Sequence, residues 1–292
     1  MEGIILRGIG SFYTVRSEEN GAEYTLRAQK KLRHQKLTPM VGDRVTFLPG
    51  EGEENGWIEA ILPRHSIMER PSVANADVLM LVVAPVPQAD LLLIDKLIVR
   101  ASCGNMTPAI CVNKTDLDGG LYDRLRDEYK GTGLQVYCTS TVTGEGIDAL
   151  RESMRGKVVC LAGQSAVGKS SLINALLGLE LETGGLSRKT ERGRHTTRRC
   201  ELLSCGGLYV LDTPGFSLLD LESTMEPEEL PDHYPEYAAL SEGCRFQPCM
   251  HDREPGCAVR KAVEKGELSR ERWERYRVLL MEARENLKGR YQ

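Results

Sequence analysis

The segment Gly163–Ser170 reads GQSAVGKS, a G-x-x-x-x-G-K-[ST] pattern preceded by an apolar run and followed by a helical one. Gly163, Gln164, Ser165, Ala166, Val167 and Gly168 would form a loop whose backbone N–H groups turn inward onto phosphate oxygens. The helix that starts there adds the partial positive charge of its N-terminus. Lys169 would reach β- and γ-phosphates, Ser170 would hold Mg²⁺, and Ser171 continues the loop into the helix. The usual partner of such a loop is an acid at a strand end. Asp212 leaves the apolar stretch LYVL, with Gly215 three residues on, and suits an Mg²⁺-side carboxylate facing a γ-phosphate glycine.

A second constellation, NKTD, spans Asn113, Lys114, Thr115 and Asp116 after the apolar AICV. A carboxylate at Asp116 accepts two hydrogen bonds from one edge of a base. Guanine offers that edge through N1–H and its 2-amino group, and adenine does not. Asn113 can bond the other side of the base, and the Lys114 stem can cover its face. Ser140 and Thr141, before Gly144 and Gly146, suit a second base-contacting loop.

Cys244, Cys249, His251 and Cys257 crowd into fourteen positions. Three thiolates and one imidazole would close a tetrahedral Zn²⁺ shell, a structural rather than catalytic arrangement. Disulfides and reduced core thiols are the alternatives. The other six of nine cysteines are scattered through mostly apolar stretches, as in a reduced cytosolic protein.

These residues need elements to hold them. In the first seventy residues IILRGIGSFYTVRS, EYTLRA, DRVTFLP and GWIEAILPR alternate between turns, which predicts a small OB-like β-barrel. Strands over Val78–Val83, Ala109–Val112, Leu134–Cys138, Lys157–Ala162 and Leu208–Leu211 then alternate with helices over Leu91–Arg100, Leu121–Tyr129, Ile147–Met154 and Ser170–Leu177. That is the pattern of a parallel sheet covered on both faces. The tail predicts an amphipathic helix with Trp273, Tyr276, Leu280 and Leu287 on one face. The expected units are 1–70, 71–223 and 224–292.

Composition sets outer limits. The chain has 292 residues, 41% apolar and 27% charged, with a formal charge of −4. This is globular stock and excludes a globally basic nucleic-acid binder, though not a local basic patch. No apolar run is long enough to span a membrane, and the N-terminus lacks the features of a secretory signal.

The order of the motifs is unusual. The base-recognition elements near 113 and 140 precede the phosphate elements near 163 and 212. With a β-rich head and a Cys/His tail, the chain resembles the circularly permuted GTPases that depend on the small ribosomal subunit. The resemblance spans nearly the whole chain. It implies an OB domain, a permuted P-loop GTPase domain and a mainly helical zinc domain. It also implies a cytoplasmic, monomeric GTPase that converts GTP to GDP and phosphate. The expected role is a checkpoint in late maturation of the 30S ribosomal subunit, binding 16S rRNA and stimulated by the subunit. By the same resemblance, Arg192–Thr197 is a switch segment in which Thr196 or Thr197 is a second Mg²⁺ ligand, with Thr197 favoured, and the Cys/His cluster is a Zn²⁺ site.

Two readings remain at residue level. Phe216 stands where a water-positioning Gln would follow the switch glycine, so His195 is the candidate to orient the attacking water. Arg27, Lys30, Lys31, Arg33 and Lys36 form one basic run, and Arg188, Lys189, Arg192, Arg194, Arg198 and Arg199 another; both suit RNA phosphates. Phe12, Tyr13 and Tyr24 leave base stacking undecided. The charges of Arg270–Arg277, interleaved with Glu, read as a solvated helix face.

Overall fold

Alternation in the head closes a barrel. Strands β1 (Glu2–Ile9), β2 (Phe12–Ser17) and β3 (Glu23–Ala28) run antiparallel in sequence. A short helix α1 (Lys30–His34) follows, then β4 (Arg44–Leu48) and β5 (Gly56–Ile61). β3 pairs in parallel with β5, β5 antiparallel with β4, and β4 returns to β1. The inward set Ile5, Val15, Leu26, Val45, Phe47 and Ile58 is buried, and α1 adds Leu32 to it. The basic run therefore sits partly on a helix, with Lys30 and Lys31 outside and Leu32 inside. The computed structural model describes residues 1–50, 55–69, 71–179, 200–212 and 225–289.

A two-stranded link, β6 (Ile67–Met68) with β7 (Val73–Ala74), leads into the central sheet. There β8 (Val78–Val83), α2 (Leu91–Cys103), β9 (Thr107–Val112), α3 (Gly120–Glu128), β10 (Gln135–Cys138), α4 (Ile147–Ser153), β11 (Val158–Ala162) and α5 (Lys169–Leu177) follow one another. The strands lie in the order β10-β9-β8-β11, all parallel. Every residue of β8 is buried, and its alternate side chains face two cores. Leu79, Leu81 and Val83 pack towards α2 and α3, and Val78, Met80 and Val82 towards α4 and α5.

The sheet departs from the parallel expectation at its far edge. An unexpected strand, β12 (Glu201–Cys205), pairs antiparallel with β13 (Leu208–Asp212), which itself runs parallel to β11. β12 then meets β1 through Arg7 and Glu201. The barrel and the central sheet are thus joined as one eleven-stranded sheet.

In the tail, a 3₁₀ helix (Pro227–His233) precedes α6 (Pro235–Ser241), α7 (Ala258–Glu264) and α8 (Arg270–Gly289). Tyr276 and Leu280 are fully buried, as the helical period requires. The reading of Arg270–Arg277 as a solvated face is corrected here. Arg272 and Arg275 both bind Asp95 of α2, which is wholly buried. Arg275 also pairs with Glu128 at the end of α3 (2.5 Å), and Arg272 with Glu236 of α6 (2.6 Å). The Arg272 guanidinium lies over the rings of Tyr129 and Tyr234, at 4.8 and 4.6 Å. Sequence periodicity could not separate these arginines from exposed ones, because their partners lie 36 to 180 residues away.

Candidate functional site

The phosphate loop leaves β11 at Gly163, whose φ of +138° and close approach to Val82 demand glycine: a Cβ would sit 2.2 Å from the Val82 carbonyl oxygen. Gly168, at φ +96°, starts α5, and a Cβ there would sit 2.4 Å from Asn113 Nδ2. Between them Ala166 adopts φ +63°, a left-handed conformation unusual for alanine. Lys169 folds back over the loop, donating to the carbonyls of Gly163 (2.8 Å) and Gln164 (2.5 Å). Burial lowers the Lys169 pKa to about 8, against the opposing pull of Asp212. Burial in turn raises the Asp212 pKa, Glu201 adds to the rise, and Lys169 opposes it. The strand-end acid and the loop lysine therefore occupy one electrostatic site. Ser170 is exposed and Ser171 half-buried at the first turn of α5.

The NKTD loop is tied to the Gly163–Ser170 loop directly. Asn113, at the end of β9, is buried and donates from Nδ2 to the Val167 carbonyl (3.0 Å). Lys114 donates from Nζ to the carbonyls of Ala166 (2.7 Å) and Val86 (2.9 Å). Thr115 is held from the other side, its hydroxyl donating to the Thr139 carbonyl (3.1 Å). Ser140 Oγ donates to Asp116 Oδ1 (2.5 Å), which orients the carboxylate and leaves its remaining lone pairs for a base. Ser140 is anchored in turn by accepting from the amides of Val142 and Thr143. Thr141, by contrast, makes no hydrogen bond among the described residues.

One contributor, Thr139, is not marked by any motif in the sequence. Thr139 is buried and joins the two base loops, its hydroxyl donating to Asn113 Oδ1 (3.3 Å). Its one signal was its place between a strand and Ser140. The Gln164 side chain accepts from the amide of Asp90 (3.0 Å), the N-cap of α2, and so ties the phosphate loop to that helix. His195, Thr197, Gly215 and Phe216 lie outside the described residues, as does the basic run Arg188–Arg199.

Asn113, Lys114 and Gly168 thus come together around one loop junction, with the Asp116–Ser140 pair on the NKTD loop and the Gly163–Ser170 loop beside it. The chain reaches the NKTD loop before the Gly163–Ser170 loop because β9 and β10 precede β11.

The Cys/His cluster also assembles. Cys244, Cys249, His251 and Cys257 are all buried, and their ligand atoms lie within 4.8 Å of one another. The sulfurs of Cys244 and Cys257 are 4.0 Å apart, far beyond a disulfide bond. His251 Nδ1 stands 3.7 Å from Cys244 Sγ and 3.4 Å from Cys257 Sγ. A tetrahedral Zn²⁺ shell would require about 3.8 Å between sulfurs and about 3.6 Å between sulfur and nitrogen. The residues therefore fit that ion. The far nitrogen of His251 meets Ser241 Oγ at 3.2 Å, and the amides of Ala258 and Arg260 point at the sulfurs of Cys244 and Cys257. Such outer contacts are what orient ligands in metal centres.

Comparison with known proteins agrees with this geometry. The sequence matches the RsgA N-terminal domain over residues 2–58 and the RsgA GTPase family over residues 61–222. It is 43% identical over 296 residues to the small ribosomal subunit biogenesis GTPase RsgA of Geobacillus thermodenitrificans, covering 99% of each chain. The protein of that name from Moorella thermoacetica is 43% identical over 286 residues, covering 97% of each. Among solved structures, YjeQ from Thermotoga maritima superposes with a TM-score of 0.78 at 36% identity, covering 97% of this chain and 98% of that one. YloQ, described as a circularly permuted GTPase, gives 0.76 at 33% identity, covering 97% and 95%. On this agreement of sequence, topology and loop geometry, the chain belongs to the RsgA GTPase family, a family of GTP hydrolases.

Proposed function

We propose that this GTPase is a checkpoint factor in late maturation of the 30S ribosomal subunit, binding 16S rRNA and stimulated by the subunit. The observation that carries the reading is the pair of hydrogen bonds from Lys114 and Asn113 to the phosphate loop, on a chain whose relatives are named for small-subunit biogenesis. A loop junction of this kind registers base and phosphates together, which suits binding of a guanine nucleotide as one unit.

In this reading Asn113, Lys114, Thr115, Asp116, Ser140 and Thr141 hold guanine. Residues 163–171 cradle the phosphates, with Asp212 and Gly215 beside them. Ser170 and Thr197 would hold Mg²⁺, which when bound neutralises charge on the β- and γ-phosphate oxygens. His195 orients the attacking water. One structural Zn²⁺ per chain is held by Cys244, Cys249, His251 and Cys257. The working units are an OB-like RNA-binding domain over 1–70, the permuted GTPase domain over 71–223 and the zinc domain over 224–292. The protein acts in the cytoplasm as a monomer.

The test is GTP turnover with and without purified 30S subunits. Without a water-positioning Gln, the free protein is expected to turn over at roughly 10⁻⁴ to 10⁻² s⁻¹. Subunits should accelerate this at low salt, and the gain should fall steeply as salt rises, because phosphate contacts release counterions. His195→Ala should lower the stimulated rate with little effect on nucleotide affinity. Equal turnover with and without subunits would leave a passive GTP-loaded adaptor instead.

A further inference from the structure

Three side chains outside the nucleotide and metal sites form a relay at the seam between α2 and the 3₁₀ helix. Cys103 is the last residue of α2, and Ser102 precedes it. His233 closes the 3₁₀ helix and reaches both. Its Nδ1 lies 2.9 Å from Ser102 Oγ and its Nε2 lies 3.4 Å from Cys103 Sγ. The imidazole and its two partners are 131 and 130 residues apart in sequence, so the fold assembles them. Cys103 is exposed, and among the nine cysteines only Cys205 shares that exposure. Cys111 and Cys160 are buried, and burial pushes the Cys111 thiol up to about 12. Cys200 is half-buried, and burial, with Asp212 adding, pushes its thiol up to about 11.

The order of the three groups sets their roles. Oxygen is the better hydrogen-bond acceptor and sulfur the weaker, which places the imidazole proton on Nδ1, donated to Ser102 Oγ. The lone pair of Nε2 then faces the thiol and accepts from it. Burial lowers the His233 pKa below its ordinary 6.5, with Asp232 and Glu229 opposing, so the ring is neutral at pH 7 and that lone pair is available. A neutral imidazole against a solvent-facing thiol is a general base for a sulfur nucleophile. A thiolate standing at the end of α2 would face the unpaired carbonyls of the helix C-terminus. The proton therefore leaves as the sulfur attacks rather than beforehand. The approach is acidic: Glu228, Glu229 and Asp232 of the 3₁₀ helix are all exposed. Their charge favours a reactant that carries no negative charge of its own.

We propose that Cys103 is a site of reversible thiolation by small neutral or cationic disulfides, with His233 as the general base and Ser102 holding the ring in its reactive tautomer. Cys103 Sγ attacks one sulfur of the disulfide as its proton passes to Nε2. A new S–S bond forms to Cys103, and the S–S bond of the small molecule breaks. The departing thiolate takes the proton from Nε2 and leaves as a thiol. The Cys103 sulfur is oxidised, the departing sulfur is reduced, and no further oxidant is needed. A low-molecular-weight thiol reverses the exchange. The adduct removes the S–H donor that joins α2 to the 3₁₀ helix, and so alters the seam where the tail meets α2. The chemistry needs neither a nucleotide nor a ribosomal subunit.

The experiment uses the full-length protein, purified without chelator and incubated at pH 7 with cystamine or with oxidised glutathione. Peptide mass spectrometry reads the mixed disulfide at each cysteine over time, and exposed Cys205 is the internal reference. An unassisted thiol of pKa near 8.5 is about 3% thiolate at pH 7, so assistance by a base gains at most roughly 30-fold. Cys103 should therefore react with cystamine about 5- to 30-fold faster than Cys205. His233→Gln should abolish that advantage while leaving the Cys205 rate as it was, which reports an intact fold. Ser102→Ala, a change at an exposed position, should slow Cys103 as well, because the ring loses the acceptor that sets its tautomer. Dithiothreitol should release the adduct. At low salt cystamine, a dication, should outpace the anionic glutathione disulfide at Cys103 by more than it does at Cys205. A Cys103 rate no faster than that of Cys205, or one unchanged by both His233→Gln and Ser102→Ala, would overturn the relay. Glutathione disulfide reacting faster than cystamine at Cys103 would overturn the assigned class of reactant.

Discussion

Asp116 shows how much one side chain can decide. Its carboxylate is oriented by Ser140 Oγ, and Ser140 is itself held by two backbone amides. Asp116→Asn would present an amide donor to the donor edge of guanine. Charge-assisted hydrogen bonds contribute about 1.5–3 kcal/mol each, so GTP affinity should fall roughly 10- to 100-fold or more. Xanthosine triphosphate, with a carbonyl at that edge, should bind the variant better than GTP does. Competition binding with both nucleotides checks this, and undiminished GTP affinity would mean that NKTD does not read the base. Ala166 is the residue at odds with its surroundings. Its left-handed φ of +63° costs an L-residue about 1–2 kcal/mol, while alanine gains about 0.4–1 kcal/mol over glycine by restricting the unfolded chain. Ala166→Gly should therefore stabilise the nucleotide-free protein by roughly 0.5–1 kcal/mol in denaturant titration. A loss of stability would show that the Ala166 methyl is supported by contacts worth more than the strain.

At the scale of elements, α2 carries more connections than its sequence suggests. Its N-cap residue Asp90 donates a backbone N–H to the Gln164 side chain, and its buried Asp95 binds α8. At its C-terminal end Ser102 and Cys103 meet His233 of the 3₁₀ helix, with Ser102 Oγ 2.9 Å from Nδ1 and Cys103 Sγ 3.4 Å from Nε2. Burial lowers the His233 pKa below its ordinary 6.5, and the neighbouring Asp232 and Glu229 only partly offset this. The unfolded chain then binds more protons than the folded one as pH falls through about 6.5, so folding stability is lost on acidification through that value. Thermal unfolding measured between pH 7.5 and 5.5 should show a steeper decline for the native protein than for His233→Gln. Parallel curves would mean that this imidazole does not titrate differently on folding.

Across the whole molecule, the tail is held in two ways. The Cys/His cluster gathers the loop between α6 and α7, and the Asp95, Arg272, Arg275, Glu236 and Glu128 network clasps α8 and α6 to α2 and α3. Trp273 and Tyr276 of α8 donate to the carbonyls of His251 and Met250, so the two devices share a helix. Disruption of the Cys/His cluster should therefore loosen more than one loop. Structural Zn²⁺ contributes on the order of 10–16 kcal/mol apparent in small zinc fingers, where little else holds the fold. In this larger unit the expected readout of Cys249→Ser is loss of about one bound Zn²⁺ per chain and a lower Tm, with chelator treatment of the native protein giving the same shift. Metal analysis finding no zinc in protein purified without chelator, or an unchanged Tm in the variant, would remove the metal from this account.

What could be read from residues in a line was the local chemistry. GQSAVGKS and NKTD form loops after strands where their flanking apolar runs put them, because a strand-to-loop passage is built within a few residues. The order of those motifs disclosed the permutation, since chain order is itself a sequence property. The alternation of strands and helices located β8 to β11 and α2 to α5 within a few residues, because a strand buried on both faces must be apolar throughout. Tertiary structure decided everything that depends on distant partners. β12 is not legible in the sequence because its pairing with β13 and β1, rather than a strong apolar pattern, makes it a strand. Arg272 and Arg275 looked solvated until Asp95 supplied a buried countercharge. Thr139 joined the site only when β9 and β10 lay side by side. Sequence spacing encodes contacts within an element, whereas burial, countercharge and register arise from chain closure over tens to hundreds of residues.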